Sequence, residues 1–365
     1  MYYVFVLFIH DLNIIDTALK VLLKSNKVDT LLCRNDRWDN TPLHIAASRN
    51  HLETLTALLE AGAQVDNKNE DERTPLMVAA KHGRLGIVKY ILMKDRYSVN
   101  DEDFESQTAL HLASAGGHDE VVQELVSAGA EIHANNSYLW TPLACAAAGG
   151  WSQCAQILIT AGATLETEDR NKNTPLHLAA QHGHHQVTRL LISNGASLTC
   201  INLSNHNPLS EAIARGNREV ILMILGSERW REAVRMNRMN TSGCQDTPVK
   251  QLIRRFPDLA KLVLDKCITT NLHTTRVKNK NNTVGINTVS PDNPDLQIDF
   301  DYEFLDDFFL APDGGEPELV IDNDESIEEI HESHPLKLMI YHQRTDLLGH
   351  PLARALVRYK WTTVK

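Results

Sequence analysis

The sequence predicts an all-α solenoid of about six repeats, followed by an irregular helical linker region with a short β element. A four-residue motif recurs with its first residues 33, 34, 33, 33 and 33 positions apart. Apolar residues follow each copy at helical spacing, and most repeats then end at a glycine, as at Gly62. The copies are Thr41–His44, Thr74–Met77, Thr108–His111, Thr141–Ala144, Thr174–His177 and Asn207–Ser210.

Each motif predicts the start of a helix. Thr41 is a good N-cap residue, and Pro42 at the first helical position gives up only an N–H that has no partner inside the helix. Small residues such as Ala46 and Ala47 allow neighbouring helices to approach closely. One helix pair cannot bury its own apolar face, so stability must come from stacking of the repeats.

Histidines recur in this pattern and are interpreted as part of the scaffold. His44, His111 and His177 belong to the motif and are expected to form hydrogen bonds between turns. The segment Gln181–His185 holds three more histidines, but it falls in the tight turn between two helices. No carboxylate or cysteine stands around it at ligand spacing, so no metal site is expected there.

The period and the motif together resemble the ankyrin-repeat family, whose members bind partners through exposed hairpins between repeats. Exposed aromatic and arginine side chains are typical contact anchors in such surfaces. Packing against a neighbouring hairpin explains any one of them equally well. The candidates that stand just before the motif are Arg37, Trp38, Arg73, Phe104, Tyr138 and Trp140.

Composition excludes several classes of function. The net charge is −11, and residues 292–332 contain 16 Asp or Glu and no Lys or Arg. An acidic chain without a basic stripe argues against nucleic-acid binding, and the acidic spacing fits no EF-hand loop. The six cysteines lack paired spacing, so neither a zinc site nor a disulfide framework is expected. No phosphate loop, nucleophile motif or cofactor site is present, so the chain is predicted not to be an enzyme.

The predicted organisation has five parts. Residues 1–40 are interpreted as a degraded partial repeat, 41–226 as the repeats and 227–268 as an irregular, repeat-like helix pair. Residues 269–334 are predicted to be an acidic, flexible linker with a strand at 297–304, where apolar residues alternate with acidic ones. Residues 335–365 are predicted to form two amphipathic helical pieces. Tyr2–Ile9 is too short for a membrane span and lacks the features of a signal peptide, and the apolar start suggests a fragment of a longer protein.

The region after the repeats resembles the ankyrin-type, subfamily A, transient receptor potential cation channels. The resemblance covers roughly residues 41–361, and its channel-specific part is 207–361. It is carried by Glu211–Leu225, Ser227–Trp230, Pro257–Cys267, the alternating strand and Thr345–Trp361. It implies the cytosolic ankyrin and linker region of a channel subunit that forms homotetramers only at full length. In that case residues 335–365 are pre-membrane helices, and the first transmembrane helix begins just after Trp361.

The resemblance also implies candidate sensor residues, because channels of this family detect reactive electrophiles through linker cysteines and a lysine near the membrane. The corresponding candidates are Cys244, Cys267 and Lys360. A sensor cysteine needs a lowered pKa and some exposure. The competing interpretations are an ordinary loop cysteine for Cys244, core packing for Cys267 and an interfacial lysine for Lys360.

Two functions therefore stay open from the sequence. The first is the cytosolic part of a subfamily A channel subunit that contributes to chemical or thermal detection and to gating. The alternative is a soluble ankyrin-repeat adaptor that mediates protein–protein interaction.

Overall fold

A computed structural model describes residues 36–235, 247–272, 288–290, 293–300 and 335–363, with backbone only at 269–272, 288–290, 293–300 and 359–363. The chain divides into two compact units, Met1–His206 and Asn207–Lys365. Of the predicted partial repeat at 1–40, residues 1–35 lie outside the described residues.

Within residues 36–206 of unit 1, five helix pairs stack in sequence order. First helices α1, α3, α5, α7 and α9 pack against one another, and second helices α2, α4, α6, α8 and α10 form the other layer. A 3-10 turn, Tyr97–Asn100, follows α4. The bounds are α1 Pro42–Arg49, α2 Leu52–Glu60, α3 Pro75–Lys81, α4 Leu85–Lys94, α5 Ala109–Gly116, α6 Asp119–Ser127, α7 Pro142–Gly149, α8 Ser152–Thr160, α9 Pro175–His182 and α10 His185–Ser193.

The first helices approach closely because their contact faces are alanine pairs. Ala46 and Ala47 of α1 are completely buried, and so are the matching pairs of α3, α7 and α9. Proline stands at the first helical position of these four helices. Larger apolar residues from both helices, such as Leu55 and Leu110, fill the space between pairs. The repeat motif therefore supplies the helix start and the packing face together.

A ladder of side chains also joins each repeat to the one before it. His118 Nε2 lies 3.0 Å from the Lys81 carbonyl oxygen, and Trp151 Nε1 donates to that of Ala115 at 2.8 Å. Arg84 and His184 make the equivalent bonds. The Trp151 ring covers Gly117, whose φ is +74°, so closely that a Cβ there would lie 2.3 Å from the indole. Glycine is required at this position by conformation and by space.

Unit 2 is a helical unit with a small sheet. A sixth helix pair, α11 Pro208–Arg215 and α12 Arg218–Gly226, precedes α13 Trp230–Val234. α14 Pro248–Arg255 packs on α11, and α15 Pro257–Lys266 packs on α14. The last described helices are α16 Pro335–Tyr341, α17 Thr345–Leu348 and α18 Pro351–Thr363. α16 packs on α14 and α17 packs on α15, so residues far apart in sequence form one helical cluster.

The sheet corrects part of the linker prediction. β1 Ile268–Leu272 and β2 Thr288–Ser290 both pair antiparallel with β3 Asn293–Phe300, in the order β1-β3-β2. Residues 269–272 and 288–290 are therefore strands and not flexible linker. β3 includes 297–300 of the strand predicted at 297–304 and begins earlier, whereas 301–304 lies outside the described residues. The prediction missed β1 and β2 because their residues are mostly polar. The hydrogen bonds between strands join backbone groups, so a polar segment can form them as well as an apolar one.

None of the helices in the described part of the chain combines the length and the apolar character that a bilayer crossing requires.

Candidate functional site

The hairpins of unit 1 end in a continuous row of tips. Glu70 N–H donates to the Trp38 carbonyl oxygen at 3.0 Å, and Phe104 N–H donates to that of Asp71 at 3.2 Å. The same bond joins each later pair of tips up to Leu203 and Asn171. The tips are therefore held side by side by backbone hydrogen bonds, and their side chains form one surface. The hairpin tips are residues 37–38, 70–71, 104–105, 137–138, 170–171 and 203–204.

One Asp or Asn builds each tip. Asp103 Oδ1 accepts the N–H of Glu105 at 3.0 Å and that of Gln107 at 2.8 Å, while Ser106 takes a positive φ of 56°. These local bonds are those of an Asx-turn. The signal in the sequence is an Asp or Asn five positions before the first residue of each motif, and it was not among the predicted features. The equivalent residues are Asp36, Asn69, Asp103, Asn136, Asp169 and Asn202.

Four predicted contact residues lie at or beside the exposed tips. The exposed fractions of Trp38, Phe104 and Tyr138 are 47%, 57% and 52%. The Arg37 guanidinium lies 3.7 Å from the centroid of the Trp38 ring, in a cation–π contact. Trp140 is half-buried, and its indole N–H donates to Asp169 Oδ2 at 3.3 Å.

For Arg73 the structure favours the second interpretation that the sequence left open, packing against a neighbouring hairpin. Its side chain is 13% exposed. Its Nε lies 3.1 Å from Asp103 Oδ2 and its Nη1 lies 2.8 Å from Asp71 Oδ2. The guanidinium thus ties the second described hairpin to the third, and these donors are directed into the surface rather than towards a partner.

The motif histidines connect each helix start to the next hairpin. His111 Nδ1 accepts the Thr108 N–H at 3.2 Å and lies 3.0 Å from the Thr108 hydroxyl oxygen. Its Nε2 lies 2.9 Å from the Trp140 carbonyl oxygen. This network assigns a neutral ring with the proton on Nε2. His44 and His177 make the same contacts, so the expectation of hydrogen bonds between turns is confirmed.

We expect the stability of unit 1 to fall as the pH drops below 6.5. Burial lowers the pKa of His44 and of His111 below the usual 6.5, so the unfolded chain binds protons that the folded chain refuses. Stability therefore rises with pH between the folded pKa values and 6.5, by up to about 1.4 kcal/mol per pH unit for each histidine. Urea denaturation of the complete chain from pH 7.5 to 5.0, followed by hydrogen exchange in α1–α10, measures this slope.

Met77, which stands where other repeats carry histidine, supplies the control for that experiment. The double variant His44→Met/His111→Met should lose much of the slope between pH 6.5 and 5. An unchanged slope in the variant would show that these two imidazoles do not cause the acid sensitivity.

Burial disfavours attack by the described cysteines. Burial raises the pKa of Cys145 to about 12 and that of Cys154 to about 11. Burial also raises the pKa of Cys200, whose thiol lies 3.4 Å from Glu166 Oε2. Cys267 is 1% exposed, which agrees with a packing role. The candidate Cys244 lies outside the described residues, and the side chain of Lys360 does too.

The rate of alkylation should distinguish the buried cysteines from an accessible thiol. We expect iodoacetamide at pH 7.5 to modify Cys145, Cys154 and Cys267 at least about a hundredfold more slowly than a free thiol, because all three side chains are covered and burial raises the pKa of the first two. Mass spectrometry of a time course on the folded chain measures each rate, and the urea-unfolded chain is the control. Rapid modification of Cys267 in the folded chain would contradict its burial.

A second site joins the two halves of unit 2. Arg344, which precedes α17, donates from Nη2 to the Arg254 carbonyl oxygen at 2.8 Å and from Nε to that of Ile253 at 3.3 Å. Both carbonyls lie in the last turn of α14, where an acceptor needs a donor from outside the helix ladder. Buried His350, just before α18, lies with Nε2 2.9 Å from Asp265 Oδ1 of α15. We call Arg344, His350 and Asp265 the linker clasp, a feature that the sequence did not predict.

Trp230, which carries part of the sequence resemblance, belongs to the core of unit 2. It is 6% exposed. Lys266 Nζ lies 5.5 Å from the centroid of its ring, and the Arg231 guanidinium carbon lies 4.8 Å from it. Burial, with the nearby charge of Arg231, lowers the pKa of Lys266. Trp230 is thus a packing residue, and its contact with Lys266 connects α13 with α15.

The repeats define the class of the protein. Three segments, residues 13–103, 96–169 and 150–240, match the family described as Ankyrin repeats (3 copies). The chain therefore belongs to the ankyrin-repeat family, and the prediction of an ankyrin solenoid is confirmed.

The relatives show which ankyrin-repeat proteins this chain is similar to. The chain is 31% identical over 362 residues to the transient receptor potential cation channel subfamily A member 1 homolog of Caenorhabditis elegans, covering 91% of this chain and 28% of that protein. It is 32% identical over 110 residues to the human transient receptor potential cation channel subfamily A member 1, and this match covers 30% of this chain and 10% of that protein. It is 33% identical over 110 residues to alpha-latroinsectotoxin-Lt1a of Latrodectus tredecimguttatus, and this match covers 30% of this chain and 8% of that protein. The chain is thus similar to a subfamily A relative over 91% of its own length, and it spans 28% of that Caenorhabditis elegans protein.

Proposed function

We propose that this chain is the cytosolic part of a subfamily A transient receptor potential cation-channel subunit, where it contributes to stimulus detection and to gating. In this proposal the ankyrin repeats bind partners, and unit 2 couples this binding to the membrane-spanning part of the subunit. Assembly into a homotetramer and the location at the membrane belong to the full-length subunit and are part of the same proposal.

The extent of the nematode alignment carries the proposal. Ankyrin repeats alone occur in unrelated proteins, and a 110-residue likeness to alpha-latroinsectotoxin-Lt1a shows that a short match is not confined to channels. The alignment with the nematode channel homolog leaves only about a tenth of this chain uncovered, so it includes most of the residues after the repeats. The likeness therefore extends over the segment that distinguishes a subfamily A channel from other ankyrin-repeat proteins.

The linker clasp supports the gating part of the proposal. α18 ends at Thr363, and the resemblance predicts a transmembrane helix just after Trp361. The clasp holds the segments before α18 against α14 and α15 through side chains of Arg344 and His350. A displacement of α14 or α15 would therefore be transmitted to α18 by hydrogen bonds rather than through a slack connection.

Chemical detection through Cys244 and Lys360 stays a prediction. The described cysteines have raised pKa values or are buried, so a thiol sensor in this chain would have to be sought among the other cysteines. Cys244 is the candidate to label first, because it stands three positions before Thr247, the N-cap of α14.

A chimeric channel tests the gating role. The equivalent region of the nematode homolog is replaced by this chain, and whole-cell currents are compared with and without Arg344→Ala in the graft. We expect the intact graft to give currents, and the variant to reach the cell surface but open with altered stimulus dependence. The exposed Lys337→Ala of α16 is the matched control. Currents identical in all three would contradict a gating role, and a graft that reaches the surface without conducting would favour the adaptor alternative.

A further inference from the structure

The hairpin tips of unit 1 present aromatic rings in an acidic setting. Within residues 36–206, the hairpin segments 36–40, 64–73, 101–107, 131–140, 164–173 and 197–206 hold 14 Asp or Glu and five Lys or Arg. The rest of residues 36–206 holds six acidic and seven basic residues. The negative charge of this part of the chain is therefore confined to the hairpins, and the helical faces are close to neutral.

The basic side chains of these hairpins show which chemistry the surface binds. Arg37 lies over the Trp38 ring at 3.7 Å, and Arg170 lies 6.0 Å from the centroid of the Tyr138 ring. Arg73 pairs with Asp71 and Asp103, and Lys68 Nζ lies 3.9 Å from Glu72 Oε2. Four of the five basic residues thus already rest on an aromatic or acidic group of the same surface. A cation from another chain would find the same two kinds of partner.

The centre of the row is left for such a cation. Phe104 is 57% exposed between the arginine-covered rings of Trp38 and Tyr138 in the order of the tips. Among the described residues, no basic side chain makes an ion pair or a cation–π contact with Phe104, Glu70 or Glu105. A notch of about 260 Å³ beside Glu70 is lined by Trp38, Asn40, Asn69, Glu70 and Asp71. The notch lies between the first and second described hairpins, and Phe104 and Glu105 stand on the third, so carboxylates, rings and polar groups follow one another over the first three described hairpins.

We infer that the hairpin tips of unit 1 bind a cationic polypeptide segment in which Arg or Lys alternates with apolar side chains. Its guanidinium or ammonium groups pair with Glu70 and Glu105 and lie against Phe104, while its apolar side chains pack beside Tyr138 and Leu139. Aromatic anchors supply the affinity, and the two carboxylates select the sign of the partner's charge. An acidic partner is disfavoured because the same carboxylates would repel it.

This inference goes beyond the proposed function and does not depend on it. The surface lies wholly in unit 1, so cationic binding would hold for an adaptor as well as for a channel subunit. Failure of peptide binding would leave the channel proposal intact, and failure of the chimeric channel would leave the binding surface intact.

The test uses the complete chain and two labelled synthetic peptides of equal length, one alternating arginine with leucine and the other alternating glutamate with leucine. Fluorescence anisotropy should show binding of the arginine peptide at least about tenfold tighter than that of the glutamate peptide. Raising the salt concentration from low to about 0.5 M should weaken the arginine peptide's binding, because exposed charges are screened. Equal binding of both peptides, or binding of neither, would overturn the inference.

Matched variants locate the site. Phe104→Ala should weaken the arginine peptide about fivefold to tenfold, whereas Tyr97→Ala, which removes a 95% exposed ring outside the hairpin tips, should leave binding unchanged. Glu70→Gln/Glu105→Gln should weaken binding about threefold or more and reduce its salt dependence. Glu53→Gln/Glu60→Gln on α2 makes the same change in net charge away from the tips. If the tip variants and the control variants weaken binding equally, the peptide is held by general electrostatic attraction. That result would overturn the assignment of the site to the tips.

Discussion

Replacing Arg344 with alanine should detach the late helices of unit 2 from α14 and α15. The guanidinium satisfies two carbonyls at the end of α14, and it is the side chain that reaches them from 90 and 91 residues away. Hydrogen bonds from a charged donor are worth about 1.5–3 kcal/mol, so the loss should be about 2–3 kcal/mol. Amide exchange in α16 and α17 should therefore accelerate roughly 30-fold to 150-fold, as measured by hydrogen-exchange mass spectrometry.

Two control variants distinguish the loss of the clasp hydrogen bonds from the mere loss of a positive charge. Lys337→Ala, an exposed position of α16, should change exchange by less than about threefold, since surface substitutions usually stay within about 0.5 kcal/mol. Arg344→Lys should fall between the two, because an ammonium cannot reproduce the two-pronged geometry of a guanidinium. If Arg344→Ala leaves exchange in α16 and α17 unchanged, the late helices are held by apolar packing alone.

Replacing His111 with alanine should be among the most damaging single changes in unit 1. The ring is completely buried, and its loss leaves the Thr108 N–H and the Trp140 carbonyl oxygen without partners and opens a cavity. The cavity and the two unsatisfied groups together should cost about 3–5 kcal/mol. Urea denaturation of the complete chain at pH 7.5, with exchange followed in α5 and α7, measures the loss of stability.

The chain itself provides the matched variant. In the second described repeat Met77 stands at this position, and its sulfur accepts the Thr74 N–H at 3.5 Å. His111→Met should therefore keep an acceptor for Thr108 and fill the cavity, leaving only the Trp140 carbonyl without its donor. We expect its cost to be about 1–2 kcal/mol. Equal losses for the alanine and methionine variants would contradict this assignment of roles.

The fold of unit 1 was predictable because its information is local and repeated. Thr-Pro starts a helix, alanine pairs define the contact face, and the period sets the stacking, so no long-range pairing had to be guessed. The hairpin positions followed from the same period. The Asx-turn residues were equally available, since Asp36, Asn69 and Asp103 each precede the motif by five positions. They were not predicted, because the alternation between Asp and Asn hides a shared turn geometry behind two different residue types.

The fate of individual contact residues was less predictable. Arg73 had the sequence position of an exposed anchor, but its ion pair with Asp103 depends on how the next hairpin packs, 30 residues away. In unit 2 the clasp joins residues 85 to 91 positions apart, and no period links them. β1 and β2 were hidden by polar composition. A single sequence shows no recognisable pattern for contacts between individual side chains far apart in the chain, or for the pairing of short strands.

The central claim is that this ankyrin region, with its clasped linker unit, is the cytosolic part of a subfamily A channel subunit. The most direct measurement is full-length sequencing of the transcripts that contain the codon for Lys365. A channel subunit requires an open reading frame that continues in frame into six apolar segments, each of about 20 residues, and we expect the first to begin close to Trp361. A stop codon directly after Lys365 in every transcript would contradict the claim and favour the ankyrin-repeat adaptor.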